Sequence, residues 1–304
     1  LKEFDHCMLC PRACGVNRNA GHLGYCGSDA GYHIGSVCIH RGEEPPVSGP
    51  RGICNVFFTR CNLQCIYCQN YQISRRKGKV ENFRYTLEEV IEDIMAILDR
   101  GIESVGFVSP THFTPHVKAI ISGLHKKGYT PITVYNSNGY DSTKVLQSFE
   151  GLIDVYLPDF KYFNPVISSS FSDADDYPDI VKRSIREMYR QKGSTVVLDH
   201  QGIAVTGMII RHLVLPGQVR DSIDVLRWIA GELSPSVSIS LMSQYFPTRE
   251  VSDHPVLNRK LRPEEYQEVL EAMEDLGFTK GWIQQYESAD YYKPDFRDDN
   301  PFEG

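Results

Sequence analysis

"ICNVFFTRCNLQCIYCQN", residues 53–70, joins an apolar run to three cysteines spaced C-x3-C-x2-C: Cys61, Cys65 and Cys68. "ICNVFF" has the length and β-rich composition of a buried strand, so the cysteines fall at its C-terminal end. Zinc and iron–sulfur sites built wholly from protein take four ligands, and here there are three. Three thiolates can ligate three irons of a [4Fe–4S] cube and leave the fourth iron open for another ligand. The competing reading is a zinc knuckle completed by a distant side chain.

Downstream of that strand the chain alternates between strand and helix. "TLEEVIEDIMAILDRG", residues 86–101, carries Thr86 and Glu89 in capping-box positions and an apolar face of Leu87, Val90, Ile91, Ile94, Ile97 and Leu98. Strands "SVGFVS", "PITVY", "IDVYL", "GMIIRHLVL" and "VSISLM" alternate with helices expected over 113–127, after Asp141, and over 179–192, 221–233 and 263–276. Such alternation implies parallel strands joined by right-handed crossovers. The expected fold is α/β: a partial (β/α)6 barrel, the rhythm alone also suiting an open doubly wound sheet. In a barrel the strands' C-terminal ends are where chemistry is placed. Residues 1–48 lack periodicity and end in the Pro- and Gly-rich "HRGEEPPVSGPRG", a turn-rich linker. They read as a small Cys-rich segment too short for its own core without a metal staple, ahead of a barrel domain at 49–304.

The bulk properties narrow the function classes. At 304 residues with 41% hydrophobic and 23% charged residues, the composition is that of a globular protein. No apolar run approaches membrane-spanning length, and "LKEFDHCMLC" is not laid out as a secretory signal, so a cytoplasmic location is expected. A net charge of −7 gives no field that would draw the chain onto nucleic acid, and Arg75–Arg76–Lys77 reads as a solvated loop. Seven of the nine cysteines fall in two tight groups, which favours metal over disulfides in a reducing compartment. Cys38 and Cys54 stand alone and read as buried thiols.

The C-x3-C-x2-C run, with Tyr67 just before its last cysteine, resembles that of the radical SAM superfamily. The likeness extends through "CNLQCIYCQNYQIS", "SPTHF", "YNSNGYDS", "YLPDFKY", "IIRHLVLPG", "LMSQYFP" and the "GEEPP" turn, in order over nearly all of residues 50–290. Together these segments resemble PflX-type relatives of pyruvate formate-lyase activating enzyme. The resemblance implies that S-adenosylmethionine chelates the open iron. Reductive cleavage then yields methionine and a 5′-deoxyadenosyl radical that abstracts hydrogen, with an electron donor such as flavodoxin or ferredoxin. It also implies roles: Tyr67 facing the adenine through its backbone, Asn136 and Asn138 presenting polar groups to the cofactor, Asp159 and Lys161 near its adenosyl end, and Arg211 meeting its carboxylate. A guanidinium suits the last task because it forms bidentate charge-assisted hydrogen bonds. The plainer reading of Asp159, Lys161 and Arg211 is an internal barrel ion pair. Where activases carry Gly-Gly-Glu after the second strand, this chain has Ser109–Pro110–Thr111–His112, so the contact to the cofactor's amino group passes to Thr111 or His112. His112 reads equally as a hydrogen-bonded helix-start residue.

Cys7, Cys10, Cys14 and Cys26 form a second, closed set of four soft ligands, C-x2-C-x3-C-x11-C. A structural zinc and an auxiliary [4Fe–4S] cluster both accept four thiolates, and Gly24–Tyr25–Cys26–Gly27 resembles half a zinc knuckle. His6, His22, His33 and His40 read as surface or turn residues. The function expected is hydrogen abstraction by a radical SAM enzyme, with activation of a glycyl-radical enzyme as the family's version and a protein as its substrate. The alternatives are modification of a small molecule, a peptide or RNA, and a metal-cluster scaffold that binds a partner without turnover.

Overall fold

A computed structural model describes residues 1–79, 83–286, 294–298 and 300–302. In chain order the strands are β1 (Tyr32–His40), β2 (Ile53–Phe58), β3 (Phe83–Tyr85), β4 (Ser104–Val108), β5 (Ile132–Ser137), β6 (Val155–Pro158), β7 (Val197–Leu198), β8 (Ala204–Leu213), β9 (Ser238–Met242) and β10 (Gly281–Ile283). The helices are α1 (Pro45–Ser48), α2 (Tyr71–Ser74), α3 (Leu87–Leu98), α4 (Thr114–Lys126), α5 (Thr143–Gln147), α6 (Pro165–Ser172), α7 (Tyr177–Lys192), α8 (Val219–Glu232) and α9 (Pro263–Asp275). The sheet order is β10-β9-β8-β6-β5-β4-β2-β1-β3, with β7 paired to β8. Strands β2, β4, β5, β6, β8, β9 and β10 run parallel, while β1 pairs antiparallel with β2 and β3. Among the described residues β10 and β3 remain edges, so the barrel is open.

Every residue of β2 is buried, as expected for a parallel strand covered on both faces. Cys54, Val56 and Phe58 face the helices, in one core with Ile94, Val117 and Val225. Ile53 faces the other way and shares a cluster with Val47, Val134, Val155, Leu157, Ala204 and Ile209. That cluster joins Ile53 of β2 to Ile209 of β8, four places apart in the sheet order, so the sheet curls around it. Helices on one face and an inner cluster on the other make a partial barrel rather than a doubly wound sheet.

Within residues 1–48, read from the sequence as a segment of its own, Tyr32–His40 forms β1, paired with β2 in the same sheet. Its buried pattern is irregular, with a register shift between Ile34 and Ser36, and this hides the strand's period of two. The "GEEPP" linker is not a free connection either. It forms α1, which plugs the barrel floor through Val47 at the start of β2. The capping box of α3 is present as read, with Thr86 Oγ1 accepting from Glu89 N and Thr86 N donating to Glu89 Oε2 at 2.7 Å. Among the described residues no helix is long and apolar enough to cross a membrane.

Three fully buried histidines carry a pH consequence. His112, His116 and His212 each use one ring nitrogen on a backbone carbonyl, of Thr59, Ala30 and Phe160. Their other ring nitrogens are buried without a partner among the described residues, so a second proton there would be unsatisfied. Burial lowers His112 and His116 to about 3, helped by the Arg18 guanidinium, and lowers His212 to about 4. An unfolded histidine titrates near 6.5, so the stabilisation is complete above that pH and is lost as pH falls toward 3 to 4. Denaturant midpoints are expected to hold near pH 7 and to drop below pH 6.5, at up to roughly 1.4 kcal/mol per pH unit per histidine. A midpoint that stays flat down to pH 5 would contradict this.

Candidate functional site

At the C-terminal ends of the parallel strands lies a cavity of about 640 Å³, lined among others by Cys61, Cys65, Cys68, Asn138, Asp159 and Arg211. The loop carrying the cysteines leaves β2 through Arg60, whose φ of 66° lies in the left-handed region that a non-glycine residue rarely adopts. Arg60 N donates to Ile73 O at 2.6 Å, and its guanidinium donates to Arg75 O and Gly78 O. The segment is thereby curled over the barrel mouth. Gln64 N and Ile66 N donate to Ser172 O and Phe171 O at the end of α6, fixing its far side.

Each sulfur of the triad has its own donor. Cys61 Sγ accepts from Leu63 N at 3.4 Å and from Asn138 Nδ2 at 3.3 Å. Cys65 Sγ accepts from Ser172 Oγ at 2.9 Å, and Cys68 Sγ from Ser74 Oγ at 3.2 Å. Donors on sulfur favour the thiolate that a metal needs. Without a metal, burial pushes the Cys61 thiol up to about 12, with Cys65 adding to the rise and the Leu63 N–H and Asn138 opposing it. Among the described residues no three His, Cys, Asp or Glu side chains are gathered for a single metal ion. A cube takes each thiolate on a different iron, so its sulfurs stand farther apart than those around one tetrahedral ion.

The other sequence-read residues divide into groups. Tyr67 lines the cavity, and its hydroxyl meets that of Tyr162 at 2.5 Å. Tyr162 meets Ser172 at 2.6 Å, so a chain of hydroxyls runs from Tyr67 to the donor of Cys65. Asn138 lines the cavity, but its amide is occupied: Nδ2 reaches Cys61 and Asn62, and Oδ1 accepts from Tyr140 N. Asp159 and Lys161 form an ion pair of 2.5 Å on the cavity wall. Burial works against the Lys161 ammonium, yet Asp159 and then Cys65 outweigh it and raise the group. Arg211 is held by two carboxylates that the sequence reading passed over. Its Nε and Nη2 donate to Glu44 at 2.8 and 2.6 Å, and Nη2 also donates to Glu43. Nη1 has no protein partner among the described residues. Asn55 Nδ2, at 2.8 Å, and Asn136 Nδ2, at 3.5 Å, complete the shell of Glu43.

Thr111 and His112 are not brought to the cavity. The 3-10 turn Thr111–Phe113 folds inward, and the His112 ring packs against Phe113 while bonding Thr59 O behind β2. Of that segment only Ser109 lines the cavity, at a φ of 53°. Glu43 and Glu44 were hidden because two acids in a Pro-rich stretch read as solvated turn, and no periodicity reveals a chain that plugs a barrel. Arg75 and Arg76 are paired with Glu250 and Asp173, in keeping with a surface loop.

Gly139 shows how tightly the wall is built. It has a φ of 77°, and a Cβ there would stand 2.2 Å from Asp159 O. Tyr177 Oη lies within 3.0 Å of both Asn138 O and Asp159 O, clamping the ends of β5 and β6 together. Gly139→Ala is expected to cost more than about 1 kcal/mol, since both the torsion and the close approach oppose it. A thermal or urea midpoint equal to that of the parent chain would refute this.

Residues 55–229 match the family model of the radical SAM superfamily. An uncharacterized protein of Methanocaldococcus jannaschii is 30% identical over 276 residues, covering 89% of this chain and 75% of that protein. Among solved structures, methylornithine synthase superposes with a TM-score of 0.51 at 14% identity, covering 76% of this chain and 63% of that one. A spore photoproduct lyase gives 0.50 at 12% identity, covering 81% and 80%. Streptococcus suis SuiB bound to its precursor peptide gives 0.50 at 10% identity, covering 75% of this chain but only 47% of SuiB. At such identities the structures speak for the fold alone. The family match spans more than half of the chain and includes the cysteine loop, and on that ground the chain belongs to the radical SAM superfamily.

Proposed function

We propose that the chain is a radical SAM enzyme in which Cys61, Cys65 and Cys68 hold the [4Fe–4S] cluster and the adjoining cavity takes S-adenosylmethionine together with the group that loses hydrogen. The observation that carries this reading is the convergence of three separately donated sulfurs on one side of the cavity at the strands' C-terminal ends. The family's cofactors fit the residues present: three soft donors for a cube, and beside them a polar wall for an amino-acid-bearing cation. When bound, cluster and cofactor together supply reductive cleavage of the sulfonium and hydrogen-atom abstraction.

The chain's own residues position and charge the site. Asn138, Ser172 and Ser74 orient the sulfurs. Glu43 and Glu44 face one guanidinium, so the floor keeps one carboxylate in excess and favours a cationic ligand such as S-adenosylmethionine. The free Nη1 of Arg211 is available to a carboxylate. Asp159 and Lys161 add a neutralised polar pair near the cysteines. Trp282 and Phe302 supply apolar wall that excludes water.

The cavity also bears on substrate size. Phe296 and Phe302 of the C-terminal segment pack on Phe57, a cavity-lining residue of β2. A small molecule or one extended peptide strand suits a cavity of this volume, whereas a folded activase partner would have to insert a single loop. An external electron donor of flavodoxin or ferredoxin type belongs to the same proposal.

The test is anaerobic reconstitution with iron and sulfide, reduction, addition of S-adenosylmethionine, and quantification of 5′-deoxyadenosine. Formation of 5′-deoxyadenosine above the unreduced background is expected. An intact cluster that never cleaves the cofactor under reduction would turn the reading toward a binding scaffold.

A further inference from the structure

Outside the cavity, residues 5–31 contain no helix or strand, yet they pack closely against the barrel. Cys7, Cys10 and Cys26 are buried and Cys14 is partly so. The other three lie near enough to Cys10 to act on its thiol electrostatically. Each sulfur again meets a donor. Tyr25 N donates to Cys14 Sγ at 3.2 Å, and backbone amides of Arg12 and Ser28 reach Cys10 and Cys26. The Arg18 guanidinium lies 3.9 Å from Cys7 Sγ. Glycine is required at Gly27, beside Cys26, where φ is 78° and a Cβ would stand 2.5 Å from Arg76 O; a Cβ on Gly24 would press on Cys14 Sγ at 3.0 Å.

Arg18 is the decisive residue. It is 1% exposed, sandwiched between the rings of Phe4 and Phe113, and its donors go to Asp29 O, His112 O and Cys7 Sγ. Among the described residues no carboxylate pairs with it. A buried guanidinium without a full negative charge nearby is strongly unfavourable, so the fold implies an anion at this place. Four thiolates on a metal centre carry a net negative charge and sit where Arg18 points. A single zinc would draw the sulfurs to about 4 Å of one another, given Zn–S bonds of about 2.3 Å. Among the described residues no three His, Cys, Asp or Glu side chains are gathered for a single metal ion.

We propose that Cys7, Cys10, Cys14 and Cys26 hold a second iron–sulfur cluster, closed by four thiolates, with Arg18 as its buried counter-cation. The centre borders the first site. Arg12, between Cys10 and Cys14, donates from Nε to Asn62 O at 3.0 Å, and Asn62 adjoins Cys61 in the triad loop. The cluster therefore staples the N-terminal segment onto the loop that carries the triad, and removing it would loosen that loop.

The test uses the full chain with Cys61, Cys65 and Cys68 all replaced by alanine, reconstituted anaerobically and checked for folding by circular dichroism. It does not depend on cofactor cleavage, so it stands apart from the radical reading. Retention of about four irons and about four acid-labile sulfides per chain is expected. A folded variant without iron, or one holding zinc and no sulfide, would overturn the proposal. Should that variant not fold, Cys7→Ser with Cys10→Ser in the otherwise native chain should halve the iron of the parent, and unchanged iron would overturn it equally.

Discussion

A Cys61→Ala variant is expected to lose the triad's cluster and to make 5′-deoxyadenosine at least about a thousandfold more slowly than the parent, a barrier increase of about 4 kcal/mol. The remaining two thiolates cannot hold a cube in place, and the site would lose metal rather than work poorly. The residues around Cys61 predict a graded series. Asn138→Ala removes the donor to Cys61 Sγ and the bond to Asn62 Oδ1, but no ligand. Losses of partners behind a ligand typically cost 10- to 100-fold in metal affinity or activity, and that range is expected here. Cys54→Ala is the matched control: Cys54 is fully buried among outer-core side chains, away from the cavity. It should lower stability by about 1 kcal/mol and leave cleavage unchanged. Iron content and 5′-deoxyadenosine, measured side by side, check the order. Equal losses in the Cys54 and Cys61 variants would show that the triad is not the site.

The cysteine loop was legible because its chemistry is local. Three soft ligands within eight residues, set after a strand, carry their own meaning wherever the chain runs. The helices were legible for a similar reason, since capping boxes and apolar faces are properties of contiguous sequence. What stayed hidden depends on contacts between distant segments. Glu43 meets Asn55, Asn136 and Arg211, which lie on β2, β5 and β8, and no window of sequence contains that arrangement. Ser172 lies 107 positions from Cys65, and nothing about a serine at the end of a helix marks it as a thiolate donor. Thr111 and His112 sit at the strand end read from the sequence, but their turn packs into the core, and of that segment only Ser109 lines the cavity. The plainer reading of Asp159 and Lys161 as an ion pair describes their geometry, and Arg211 pairs too, with partners from the linker.

Replacing Arg211 by methionine should destabilise the fold by about 3–5 kcal/mol, because it leaves Glu43 and Glu44 buried and facing each other without a cation. All three side chains are nearly enclosed, Arg211 at 12% exposure and Glu43 and Glu44 at 7% and 5%. The cost is therefore one of stranded charge, and a triple variant, Glu43→Gln with Glu44→Gln and Arg211→Met, should recover most of it. The pH dependence separates this from simple loss of packing. In the parent, burial alone would raise the Glu43 carboxyl, but Arg211, then His40, hold it down to about 2. The unfolded carboxyl titrates near 4.3, so Glu43 stabilises the parent fully above that pH, and the contribution fades as pH falls toward 2. Without Arg211 the largest charge opposing burial is gone and only His40 and the Asn55 amide still act against it, so the folded carboxyl rises and protonation now relieves the fold. The variant should accordingly regain ground on the parent as pH drops from 7 toward 4; the loss from His112, His116 and His212, common to both proteins, cancels in the difference, while His40, whose proton Arg211 opposes and Glu43 and Glu44 favour, adds to the recovery. Urea midpoints of the two chains at pH 7, 5.5 and 4.5 measure that difference directly. A gap that is constant across the three would mean that Arg211 contributes packing and hydrogen bonds but does not neutralise the floor of the cavity, and the case for a cation-binding site built on it would fall.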